Sequence, residues 1–77
     1  MKELLEVIAK ALVDKHDEVR VDEVDKENTI VLKLHVADGD MGKVIGQKGR
    51  IAKNIRTLIK ACAAKTDKKV IVDIVDD

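Results

Sequence analysis

A chain of 77 residues, of which 45% are hydrophobic and none is proline, has the composition of one folded domain, since so short a chain cannot bury two cores. The single cysteine excludes an intrachain disulfide, two distant histidines give no zinc-ligand spacing, and the absence of serine removes the usual hydrolase nucleophile. A formal net charge of zero argues against a uniformly basic nucleic-acid binder. From length and composition together we expect one domain over residues 1–77, with no metal, no cofactor and no enzymatic activity.

The first part of the chain predicts a helix followed by a hairpin. Apolar residues recur at helical spacing from Leu4 to Leu12, which indicates an amphipathic helix over residues 2–15 that covers a sheet. Alternating valines at 19, 21 and 24 favour a short strand, and polar residues 25–28 predict a turn into a second strand over residues 29–36. One face of that strand holds only apolar side chains, as expected of a sheet with one covered side: Ile30, Leu32, Leu34 and Val36.

Two helices and a third strand are predicted in the second part. Asp40 is well placed to cap a short helix over residues 41–45. Helical spacing resumes after Gly49 and continues to about residue 64, and it places Cys62 among the buried small side chains. Residues 66–69 turn the chain into a last strand from Val70, so the predicted order is α-β-β-α-α-β.

The segment Gly46-Gln47-Lys48-Gly49 joins the two predicted helices. A helix N-terminus and backbone N–H groups would meet there at one exposed turn, and glycine at both ends lets another backbone approach closely, which suits a phosphate. Taken alone, the glycines are equally typical of a simple connection between helices.

The distribution of charge favours the phosphate loop. Residues 41–65 contain seven basic side chains and no acidic one, whereas the rest of the chain contains eight basic and all fifteen acidic ones. Four of the seven lie within a turn of the loop: Lys43, Lys48, Arg50 and Lys53. We expect Lys60 and Lys65 to be ordinary solvated side chains. A nucleotide-binding P-loop is excluded because the glycine spacing is wrong and no Ser or Thr follows the lysine.

Residues 44–55, V-I-G-Q-K-G-R-I-A-K-N-I, resemble the V-I-G-x-x-G-x-x-I signature of KH domains. In that family the loop clamps a backbone of about four nucleotides and an apolar groove receives unpaired bases. The element order resembles the type II KH topology, which implies an α+β domain with a three-stranded sheet covered by helices on one face. Length, element order and the last strand resemble the KhpA family of small bacterial KH proteins. The resemblance implies a cytoplasmic, non-enzymatic binder of single-stranded RNA that self-associates or pairs with a second KH protein.

Carried over onto this chain, the resemblance makes Gly46 and Gly49 the loop glycines and Gln47 and Lys48 the pair that faces phosphate. The candidates for the base groove are Ile45, Ile51, Ile55 and Val31. For each isoleucine the spacing also fits a place in the core, which is the commoner role of an apolar residue at helical spacing.

Two alternatives stay open from the sequence. The domain could serve chiefly to bind protein, as a dimer or with another KH protein, through the long helix or the last strand. Single-stranded DNA could replace RNA, because nothing in the sequence indicates a contact to a 2′-hydroxyl. We expect no membrane partner, since no apolar run approaches the roughly 20 residues that span a bilayer.

Overall fold

The computed structural model describes residues 1–75, and its helices and strands follow the predicted order α-β-β-α-α-β. The helices are α1 (Lys2–Leu12), α2 (Met41–Ile45) and α3 (Arg50–Cys62). The strands are β1 (Arg20–Asp25), β2 (Thr29–His35) and β3 (Lys69–Ile74). Short 3₁₀ turns connect several of them, including Gln47–Gly49 between α2 and α3 and Ala63–Lys65 after α3. The predicted α+β class is confirmed.

The three strands form one mixed sheet in the order β1-β2-β3. Strands β1 and β2 are an antiparallel hairpin, closed at its turn by the Lys26 N–H donating to the Thr29 carbonyl at 2.7 Å. Strand β3 lies parallel to β2, and parallel neighbours require a long crossover. Helices α2 and α3 with the loop between them are that crossover, and the loop contacts these two helices.

Helices α1 and α3 pack on one face of the sheet, α1 against β1 and α3 against β3. The core between them consists only of aliphatic side chains: Leu5, Ala9, Val13, Val21, Leu32, Leu34, Val44, Ile55, Ile59 and Val72. The other face is open, and there Val24, Val31 and Ile71 lie side by side across the three strands. A sheet covered by helices on one face is therefore confirmed.

The end of α1 differs from the prediction. The helix ends at Leu12 rather than near residue 15, because Val13 adopts an extended backbone and turns its side chain into the core. The following chain brings the Lys15 N–H to the carboxylate of Asp40, to which it donates at 2.9 Å. Asp40 precedes α2 as predicted, but its side chain makes no capping hydrogen bond to that helix; the predicted capping role is wrong.

Cys62 is also placed differently from the prediction. Its side chain is exposed, and Ala63 is the buried residue at this end of α3. Ile55, Ile59 and Ala63 are spaced by four residues and form the buried side of α3, which faces the sheet. Cys62 lies next to that side and not on it, so its side chain is exposed. None of the helices within residues 1–75 has the length and apolar character needed to cross a membrane.

Candidate functional site

The loop between α2 and α3 has an unusual backbone at three of its four residues. Gly46, Lys48 and Gly49 have φ angles of 75°, 56° and 73°, a region that side chains other than glycine rarely enter. Gly46 is also crowded, since a Cβ built there would lie 2.6 Å from Cγ1 of Ile51. Around Gly49 a Cβ would meet nothing within 4 Å. The first glycine is therefore needed for packing and conformation, and the second for conformation alone.

Hydrogen bonds inside the loop leave part of its backbone unused. The N–H groups of Gly46, Gly49 and Arg50 donate to the carbonyl oxygens of Gly42, Gly46 and Gln47. Within residues 1–75, the N–H groups of Gln47 and Lys48 have no backbone acceptor. These two donors lie directly before the N-terminus of α3, a helix of 13 residues, whose dipole places partial positive charge at the same point. The turn can thus hold an anion with backbone groups alone.

Exposed cations surround the loop. Lys48, Arg50 and Lys53 are all exposed, and no ion pair joins any of them to another residue in the range 1–75. Gln47 is exposed beside them. The structure therefore brings together the predicted loop residues and three of the four predicted cations, with their charges uncompensated by neighbouring acids.

Lys43, the fourth cation, is placed differently. Its ammonium group pairs with the carboxylates of Asp14 and Asp40. The hydrogen bond with Asp14 is the main cause that raises the pKa of Lys43, and the bond with Asp40 adds to it. Two carboxylates thus compensate its charge, and its predicted role as a phosphate contact stays a prediction.

Asp40 connects this ion pair to the end of α1. Asp40 is only 4% exposed, and the hydrogen bond from the N–H of Lys15 is the main cause that lowers its pKa, with Lys43 contributing. Because Asp40 is bonded to the segment after α1 and to Lys43 of α2, it fixes α2 against α1. The start of the loop is positioned by this contact.

The four predicted groove residues do not form one surface. Ile45 is 37% exposed at the end of α2, and Ile51 is half-buried under Gly46. Ile55 is 4% exposed and belongs to the core, the role that its spacing also allowed. Val31 points to the open face of the sheet, away from the helices. Only Ile45 and part of Ile51 offer apolar surface beside the loop.

One basic residue that the sequence did not single out lies at the edge of the sheet. Arg56 donates from Nε to the carbonyl oxygen of Val72 in β3, at 3.3 Å. Among the described residues no other hydrogen bond or ion pair of Arg56 is found, so its Nη atoms can contact a ligand. The signal was present in the sequence, because Lys53, Arg56 and Lys60 are spaced by three and four residues and so share one side of α3.

The sequence profile described as "KhpA/KhpB, KH domain" matches residues 2–74. The chain belongs to this family. Among the relatives, the protein named "RNA-binding protein KhpA" of Clostridium acetobutylicum is 63% identical over 97% of this chain and all of its own length. Proteins of the same name from Clostridium perfringens and Borreliella burgdorferi are 60% and 51% identical; the alignments cover 97% and 96% of this chain and 100% and 90% of theirs. No solved structure matches.

Proposed function

We propose that this protein binds single-stranded RNA by holding the phosphate backbone at the loop Gly46-Gln47-Lys48-Gly49, without catalysing a reaction. The observation that carries the proposal is the loop itself: within residues 1–75, two backbone N–H groups without a backbone acceptor lie beside three exposed cations that pair with no carboxylate. The relatives' printed names describe RNA binding and no reaction. We infer a cytoplasmic location from that ligand.

The loop binds phosphate with two kinds of group, backbone N–H donors and cationic side chains. The N–H groups of Gln47 and Lys48 donate to phosphate oxygens, while the side chains of Lys48, Arg50 and Lys53 supply charge. Each phosphate neutralised in a single strand steepens the dependence of log affinity on log salt by about 0.7. A clamp that uses three cations therefore gives a slope of about −2 in salt titrations.

Bases would be held by apolar contact rather than stacking on rings, since the chain has no aromatic residue. Ile45, exposed at the end of α2, and the visible part of Ile51 are the side chains next to the phosphate site. Their contacts are insensitive to base identity, so we expect weak sequence preference.

The experiment is fluorescence anisotropy with labelled single-stranded RNA against the wild type and the Gln47→Asp, Lys48→Asp variant. Aspartate tolerates the left-handed backbone at Lys48, so circular dichroism should show both proteins folded. The matched control is Lys10→Asp with Asn28→Asp, which changes net charge equally on exposed positions of α1 and the hairpin turn.

We expect the loop variant to lose RNA binding and the control to keep most of it. Equal loss in both variants would mean that net charge alone drives binding, and unchanged binding in the loop variant would remove the loop from the site. The same titration with DNA of identical sequence tests the ligand class. DNA binding as tight as RNA binding would make single-stranded nucleic acid in general the ligand.

A second candidate function is pairing with another protein, either a second copy or another KH protein. The favouring observation is Leu58 of α3, which is 47% exposed one turn before the exposed Cys62. Sedimentation equilibrium of the RNA-free wild type and Leu58→Asp tests self-association. A concentration-dependent dimer that Leu58→Asp abolishes supports pairing through α3, and a wild type that stays monomeric excludes self-association at the concentrations used.

A further inference from the structure

A cavity of about 340 Å³ lies at the far end of α3 from the loop, between that helix and the start of β3. Its wall is apolar and its rim carries lysines; the lining residues are Lys60, Ala63, Ala64, Thr66, Lys68, Lys69 and Val70. The Thr66 hydroxyl donates to the carbonyl oxygen of Ala63 at 2.8 Å, and Lys68 pairs with Asp25 of β1 at 2.6 Å. The turn that forms the cavity is therefore held in place without a ligand.

A basic stripe on α3 connects the loop to this cavity. Lys53, Arg56 and Lys60 lie on one side of the helix, and two contacts orient that side toward β3: Arg56 bonds to Val72, and Lys60 lines the cavity with Val70. Because α3 and β3 run in opposite directions, moving along α3 away from the loop leads toward the start of β3. No acidic side chain of α3 itself interrupts the stripe, since residues 41–65 contain none; the acids of the neighbouring elements are Asp67 in the turn and Asp73 in β3.

We propose that the RNA continues from the loop along this stripe and that the cavity receives a nucleotide further along the strand, which makes it a second subsite. The proposal rests on the proposed function, because it extends the same strand. The phosphates would contact Arg56 and Lys60, and a base would enter the cavity against Ala63, Ala64 and Val70. The lysines at the rim and the continuity of the stripe with the loop both favour one occupant. It is a single-stranded nucleic acid, whose phosphates are negatively charged and whose bases have apolar faces.

The distance sets the length of RNA required. From Gly49 to Ala63 the helix advances 14 residues, or about 21 Å at about 1.5 Å per residue. A strand stacked at about 3.4 Å per nucleotide covers this with about six nucleotides, and an unstacked strand needs fewer. An RNA of about four nucleotides therefore fills the loop alone, and one of about ten nucleotides reaches both subsites.

The test compares binding of these two RNA lengths by fluorescence anisotropy. Ala64→Leu fills the cavity, and Lys60→Gln removes a rim charge. Their matched controls are Ala61→Leu and Lys65→Gln, exposed neighbours that do not line the cavity. A longer RNA offers more binding registers, but that factor is the same for every variant and cancels when variants are compared.

We expect Ala64→Leu to weaken binding of the long RNA by about five-fold at most, because a wall without aromatic rings gives no more than the lower end of a base-stacking contact, and to leave the short RNA unaffected. Lys60→Gln should reduce the salt slope by about 0.7 for the long RNA only. Since Lys60 is exposed and Lys60→Gln adds no bulk to the cavity, this variant remains informative if Ala64→Leu does not fold.

The outcomes separate the two proposals. If the loop variant Gln47→Asp, Lys48→Asp loses binding while the cavity variants match their controls, the second subsite is refuted and the loop is retained. If the wild type binds neither RNA, or the loop variant binds both as tightly as the wild type, the proposed function fails and this inference fails with it.

Discussion

Replacing Gly46 by alanine should destabilise the fold far more than the same change at Gly49. At Gly46 the new Cβ would lie 2.6 Å from Cγ1 and 2.9 Å from Cβ of Ile51. The second atom is fixed to the backbone of α3, so no side-chain rotation relieves it. The backbone itself, at φ 75° and ψ 176°, is in a region that is essentially reserved for glycine.

The cost can be worked out from these two effects. The backbone conformation costs alanine about 1 to 3 kcal/mol, and crowding in a packed site adds about 1 to 3 kcal/mol, so Gly46→Ala should cost about 2 to 6 kcal/mol. Gly49→Ala meets no atom within 4 Å and pays only the left-handed conformation, about 1 to 2 kcal/mol. A domain of 77 residues has a free energy of unfolding of about 4 to 12 kcal/mol.

The assay is urea denaturation followed by far-ultraviolet circular dichroism, because the chain has no aromatic residue to report by fluorescence. If the same variants are unfolded by heat instead of urea, each kcal/mol shifts the melting temperature of a domain this size by about 4 to 8 °C. Adding Ile51→Ala to Gly46→Ala removes Cγ1 and should make the double variant more stable than the sum of the single changes predicts. If Gly46→Ala is no more destabilising than Gly49→Ala, or the double variant shows no coupling, the steric argument is wrong.

Three further predictions follow from other parts of the structure. Lys48→Val should cost about 1 kcal/mol more stability than Lys48→Asn in urea denaturation, because a β-branched side chain fits a positive φ poorly, while both lower the salt slope of RNA binding by about 0.7; equal stabilities would contradict the left-handed backbone. The lowered pKa of Asp40 means that its contribution to stability is complete above its ordinary value near 4 and is lost as pH falls through the lower folded-state value. The stability difference between wild type and Asp40→Asn should therefore be constant above about pH 5 and shrink below about pH 4, measured by urea denaturation across pH; a difference that persists to about pH 2 would contradict this. Leu32→Ala, at a fully buried position of the central strand, should cost about 2 to 5 kcal/mol, and Val31→Ala on the open face less than about 1.5 kcal/mol; similar losses would mean that the covered face is misassigned.

The local pattern predicted those features whose physical cause is local. The bounds of α2 and the position of the loop follow from glycines that interrupt helical spacing, and the face of β2 that holds Leu32 and Leu34 follows from strict alternation. The hairpin at residues 26–29 follows from a polar run between two alternating segments. The sequence also located the cations near the loop, because charge along a helix is visible as spacing.

Features that depend on residues distant in sequence could not be predicted from the local pattern. The ion pair of Lys43 is one of them, because its partner Asp14 lies 29 residues away and no local pattern connects the two. The sequence predicts that Asp40 caps the helix that follows it, yet its partner is the N–H of Lys15, 25 residues earlier. Cys62 and Ala63 both fit an apolar helical face, and only the angle at which α3 meets the sheet buries one and exposes the other.

The sequence by itself determined the family, the order of the elements and the loop, because these depend on the period of apolar residues and on glycine at fixed spacing. The tertiary structure decided which cations stay available, since Lys43 pairs with two carboxylates while Lys48, Arg50 and Lys53 pair with none in the described part of the chain. It also decided that Val31 lies on the face of the sheet that the helices leave open and that Arg56 reaches β3. Periodicity fixes which side chains share a face of one element, but only the packing of elements against each other fixes what that face meets.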